Sequence, residues 1–223
     1  MNILEDKGVN FISRYFRSLS EILFNPAQFY RQDCENPVFS SVKFYLFVHY
    51  LLFLITLPAL TTMLEKFQLY LRLYGYLQTA DTFLFNEYYF VLINIFIFPI
   101  LTILFWSLTS FYLSLLSQKY RGLMKQLFAL FLTVHTATAV PVFALLMTII
   151  GLDNLVGGNA LWPGYLFLAT PLAYILVMYY LSRHALIAKY HNCEKLTTVI
   201  LLGLITLGVV FSGLTFFLLQ INT

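Results

Sequence analysis

Few side chains in this sequence are equipped for chemistry, and they stand far apart. His135 lies in Thr133-Val134-His135-Thr136-Ala137-Thr138, with hydroxyls on both sides. A histidine there can relay a proton or hold one hydrogen bond between two helices. Asn94 and His49 are weaker cases of the same kind. Ser107, Ser110 and Ser114 follow one another, yet no spacing joins any of them to His135 as nucleophile and base. No G-x-S-x-G, H-E-x-x-H or G-x-x-x-x-G-K-[ST] phrase occurs. Cys34, Cys193, His184 and His191 match no standard zinc spacing and read as solvated turn residues. No catalytic, metal or cofactor site is therefore expected, and the chain is not read as an enzyme. His135 is expected to be an interhelical hydrogen-bond partner, with a proton relay as the alternative.

These residues must be positioned by apolar helices. Of 223 residues 60% are hydrophobic, 18% aromatic and only 10% charged, against about 25% charged in a soluble domain. So few charges cannot keep this much Leu, Phe, Tyr and Ile in water. Uncharged runs cover 44–64, 88–118, 126–152, 154–182 and 196–223, each beyond the length of a membrane helix. Outer-membrane strands would alternate in short segments instead. The expected fold is an all-α membrane protein, a bundle of five transmembrane helices near 43–64, 88–116, 126–150, 161–183 and 196–219. Residues 1–42 form a cytoplasmic N-terminal segment and 43–223 the membrane domain. No Asp, Glu, Lys or Arg falls inside a span, which weighs against an ion-coupled pump. Thr133, Thr136 and Thr138 are expected to bond their own helix backbone. The long connection 65–87 offers a short interfacial helix over Lys66–Leu77.

Pro58, Pro99, Pro141 and Pro171 lie one in each of the first four spans, at similar depth. Each removes a backbone N–H and tends to kink its helix. Bent helices at one level would frame a cavity near His135, the feature a small transporter, channel subunit or lipid-handling protein would use.

Lys7, Arg14, Arg17, Arg31 and Lys43 precede the first span; Lys119, Arg121 and Lys125 follow the second; Arg183, Lys189 and Lys195 follow the fourth. These eleven cations share one side of a five-span chain, against Lys66 and Arg72 on the other. The asymmetry puts the N-terminus in the cytoplasm and the C-terminus outside. The basic residues are not interleaved with aromatics as a nucleic-acid groove requires. No cleavable signal peptide is read in the first 43 residues, which hold Glu5, Asp6, Glu21, Asp33 and Glu35 and no long apolar core.

Over 11–24, apolar residues at 11, 12, 15, 16, 19, 22 and 23 recur at helical spacing. Too charged to span, this N-terminal amphipathic helix is expected to lie in the headgroup plane, with Arg14 and Arg17 at lipid phosphates. Asn25-Pro26 is a helix-start signal, with Asn as N-cap and Pro at the first position. It opens a second short helix expected over Pro26–Asp33.

The run Ser20-Glu21-Ile22-Leu23-Phe24-Asn25-Pro26-Ala27-Gln28-Phe29-Tyr30, followed by Asn36-Pro37-Val38-Phe39 and the first span, resembles the opening of Yip-family proteins. These are the Ypt-interacting proteins, five-span membrane proteins with a cytoplasmic N-terminus, and their bacterial relatives. The resemblance extends over nearly the whole chain. It implies a non-enzymatic scaffold or partner-binding component in membrane organisation or trafficking, with lipids and a protein partner or a second copy as its contacts. The long cytoplasmic arm and the Asp-Leu-x-Gly-Pro phrase of eukaryotic members are absent. That points to a compact prokaryotic-type member in a bacterial inner membrane, or early secretory membranes if the chain is eukaryotic.

Overall fold

The computed structural model describes residues 10–32, 36–73, 91–156 and 162–191, with Thr198, Leu202, Gly203, Ile205 and Thr206. Among these residues the chain is helical and has no strand. Two short helices, α1 (Phe11–Phe24) and α2 (Pro26–Arg31), precede four long ones. These are α3 (Pro37–Leu73), α4 (Phe98–Leu116, entered through a π-helical turn at Ile93–Ile97), α5 (Met124–Val156) and α6 (Trp162–Tyr190). Segments Pro37–Pro58, Ile93–Leu116, Met124–Ile149 and Ala169–Tyr190 are long and apolar enough to cross a membrane. They mark an integral membrane protein.

The helices outrun the charge boundaries that located the spans. No turn or separate helix follows the first span at 65; α3 continues through Pro58 and past Glu65-Lys66 to Leu73. Residues 59–73 contain neither glycine nor proline, and five of the fifteen are Leu, so nothing in them stops a helix. Charges mark where a helix leaves hydrocarbon, not where it ends. At its other end α3 begins at Pro37, inside the segment assigned to the cytoplasmic part. Of the fifth expected crossing, the described residues Thr198, Leu202, Gly203, Ile205 and Thr206 are helical, and Ile205 is buried in the core. The rest of it lies outside the described residues.

The hub is α5, which packs against α1, α3, α4 and α6. Leu127 to Val134 and Thr136 to Thr138 are buried without interruption, so every side of this part of the helix is covered. Ala129, Thr133, Thr136, Ala137 and Thr138 are small enough to let neighbouring backbones approach. Their hydroxyls are satisfied locally: Thr136 donates to Leu132 O at 2.6 Å and Thr138 to Val134 O at 2.8 Å.

Helix α1 starts where the Asn10 side chain accepts the Ile12 N–H at 3.2 Å, an N-cap. At the α1–α2 junction the capping is done by backbone rather than side chain. The Asn25 N–H closes α1 onto Glu21 O at 2.8 Å, and its carbonyl opens α2 by accepting from Gln28 and Phe29. Pro26 takes the first helical position as expected, and the described helix ends at Arg31. Helix α2 packs on α6.

Candidate functional site

The chemically capable side chains converge inside the bundle. His135 on α5 bonds through Nδ1 to the Tyr174 hydroxyl on α6 at 2.6 Å. Its ring lies 5.7 Å from those of Tyr45 and Tyr174 and 5.9 Å from Trp106. Trp106, from α4, stacks in turn on Phe131 at 5.7 Å. One histidine thus draws together α3, α4, α5 and α6. Tyr174 suits this position, since it supplies packing area and a hydrogen bond together.

A second node joins α3 to α4. The Tyr45 ring is 5.6 Å from His49, and His49 stacks on Phe98 at 5.7 Å with an interplanar angle of 12°. His49 Nε2 lies 2.9 Å from Asn94 O. A carbonyl only accepts, so Nε2 carries the proton. The next residue, Tyr50, donates its hydroxyl to Ile95 O at 3.0 Å. The cause is Pro99. It has no N–H to offer the carbonyl four residues back, Ile95, or the one five back, Asn94. In the π-helical turn the Phe98 N–H reaches five residues back to Ile93 O, and the ladder then meets Pro99. Two consecutive side chains of α3 supply the missing donors.

A third bond ties the N-terminal hairpin to the hub. Tyr30 Oη lies 2.9 Å from Thr133 Oγ1. Thr133 Oγ1 lies 2.9 Å from Ala129 O and 2.8 Å from Leu130 O; carbonyls only accept, so its single proton is used within its own helix and Tyr30 is the donor. Burial raises the Tyr30 phenol well above its ordinary range and keeps it protonated.

The residues marked in the sequence fall in different places. His135 and the Asn94 backbone lie in this polar interior. Pro99 stands just after the junction of π-turn and α4, while Pro58, Pro141 and Pro171 lie within α3, α5 and α6. Arg14 is half-buried, its guanidinium 5.7 Å from the Phe11 ring and 5.6 Å from that of Tyr15. Tyr15 is raised by burial, with Arg14 acting in the opposite sense. Arg17 is 61% exposed and pairs with Glu21 at 3.4 Å, one turn on. Ser110 and Ser114 donate to Trp106 O and Phe111 O, both at 2.7 Å, and His184 Nδ1 donates to Tyr180 O at 2.9 Å. Cys34 and Cys193 lie outside the described residues.

The signals that single out His135, His49 and Asn94 in the sequence do not reach Tyr30, Tyr45, Tyr50, Trp106 and Tyr174. A signal was present: a tyrosine well inside an apolar run carries a hydroxyl that must find a partner. Comparison with family models, with curated proteins and with solved structures finds no match for this chain.

Proposed function

We propose that this chain is a Yip-like, non-enzymatic membrane scaffold or partner-binding component, crossing the membrane five times with its N-terminus in the cytoplasm. In this reading α1 lies along the cytoplasmic leaflet, and Arg14 and Arg17 face the phosphate region. The observation that supports it best is how the intramembrane polar groups are used. His135 bonds Tyr174, His49 and Tyr50 cap the Asn94 and Ile95 carbonyls, and Tyr30 bonds Thr133. Each bond joins two helices, which is the role of polar side chains as glue in membrane bundles. A transport site instead needs polar groups directed at a substrate.

The experiment is purification after mild solubilisation, followed by reconstitution. The expected result is a stoichiometric protein partner, or a stable homo-oligomer, and no pH-driven flux in vesicles. Flux, or one reproducibly bound lipid with no partner, would replace this reading by the transporter or lipid-handling one. Topology is tested by single cysteines in a Cys34→Ser, Cys193→Ser background. Asp153→Cys should react with an impermeant maleimide in intact cells and Gln118→Cys should not; the opposite pattern refutes the orientation.

A further inference from the structure

Helix α1 carries more apolar surface than the bundle covers. At 3.6 residues per turn its side chains fall into three arcs, of which the polar one is the widest. Tyr15, Ser18 and Ile22 form one and are buried against the bundle. The Ser18 hydroxyl is satisfied by Arg14 O at 2.9 Å. Ser13, Arg14, Arg17, Ser20 and Glu21 form a polar arc, within which Arg17 pairs with Glu21 and only Phe24, the last residue of the helix, is apolar. Between them runs a third row, Ile12 and Phe16; Leu23, in line with them, packs against the core. Ile12 is 53% exposed and Phe16 50%. A helix between protein and water needs two faces; α1 has three.

The third row is continuous with the lipid-facing surface of α3. The Phe16 ring packs edge-on against Phe47 at 6.5 Å, and Phe11, at the tip of α1, does so at 5.4 Å. Seven and eight residues beyond Phe47, on the same side of α3, Leu54 and Ile55 are largely exposed apolar residues within the span Pro37–Pro58. One turn before Phe47, Lys43 is exposed, its ammonium 4.0 Å from the Phe39 ring. Lys43 is the first charged residue of that span, six residues in from Pro37, and marks the polar boundary of the leaflet. Phe47 lies about 6 Å further along the helix, at the depth where interfacial helices seat their apolar side.

We infer that Ile12 and Phe16 of α1 are seated in the acyl–headgroup boundary of the leaflet around α3, making α1 a lipid-embedded edge of the bundle. The occupant of this row is lipid because the row extends a surface that acyl chains already cover. This rests on the reading that the chain spans a membrane, and the test separates the two. Full-length protein without Cys34 and Cys193 carries Phe16→Cys, labelled with an environment-sensitive fluorophore. It is reconstituted in phosphatidylcholine–phosphatidylglycerol vesicles containing lipids brominated near the top of the chain for Phe16 and near its end for Leu104. Leu104→Cys, on the exposed side of α4 within its span, reports insertion. The expected result is strong quenching of both probes by brominated chains and little quenching of the Phe16 probe by aqueous iodide. Leu104 quenched by bromine with Phe16 quenched by iodide would overturn the inference and leave the spans intact. Protection of Phe16 from both quenchers would assign the row to a second copy or another protein, and also overturn it. If Leu104 escapes bromine, the membrane reading fails and the inference with it. Ile12→Cys, on the same row, gives an independent reading should the Phe16 variant not fold.

Discussion

The bond between Tyr30 and Thr133 makes a prediction whose sign, not just its size, follows from the geometry. Both side chains are buried, and Tyr30 donates to a hydroxyl already directed at Ala129 O and Leu130 O. Tyr30→Phe therefore strands nothing: Thr133 keeps its backbone bond and loses only an incoming donor. The expected cost is about 0.5–1 kcal/mol, the net worth of one such bond. Thr133→Val leaves a phenol buried with no acceptor, costing about 1–3 kcal/mol. In the double variant the stranded phenol is gone, so it should be more stable than Thr133→Val alone. Thermal unfolding of the full-length protein in detergent reads these effects, at roughly 2–4 °C per kcal/mol for a chain of this length. If the two substitutions add to within ~0.3 kcal/mol, or if Tyr30→Phe is the costlier single change, the donor assignment and the hairpin's attachment through this bond are refuted.

That the chain is helical and apolar was legible, because runs of 20 or more uncharged residues leave the backbone no alternative in lipid. Helix ends were less legible for a physical reason. Glu65, Lys66 and Arg183 mark the polar boundary, while the helices continue through them to Leu73 and Tyr190. The apolar stripe of α1 was visible, but not its division. Periodicity gives the width of an apolar arc and cannot say that Tyr15 and Ile22 are buried against the bundle while Ile12 and Phe16 stay half exposed. The interior site was half legible. His135 stood out as an ionisable group among apolar ones, whereas Tyr174 is one of sixteen tyrosines and nothing local distinguishes it. The role of Pro99 was out of reach, since a proline reveals which carbonyls lose a donor but not which neighbouring side chains replace it.

Two further predictions concern that interior. His135→Gln should retain a bond to Tyr174 and cost about 1 kcal/mol, while His135→Leu leaves the Tyr174 hydroxyl unpaired and costs more; folded variants of both kinds that lose a pH-driven flux would refute a structural role. The other tests the account of Pro99. Tyr50 donates to the carbonyl that Pro99 fails to serve, so Tyr50→Phe should cost about 1 kcal/mol in the native chain. Pro99→Ala restores an N–H at the position where a helix would use it. In that background the Ile95 carbonyl has a donor of its own, and Tyr50→Phe should cost close to nothing. The cycle is read by thermal unfolding of the four proteins, the coupling being the difference between the two costs. An equal cost in both backgrounds would mean that Tyr50 stabilises α3 against α4 by packing alone, and that the proline does not explain why two side chains of α3 point at this turn.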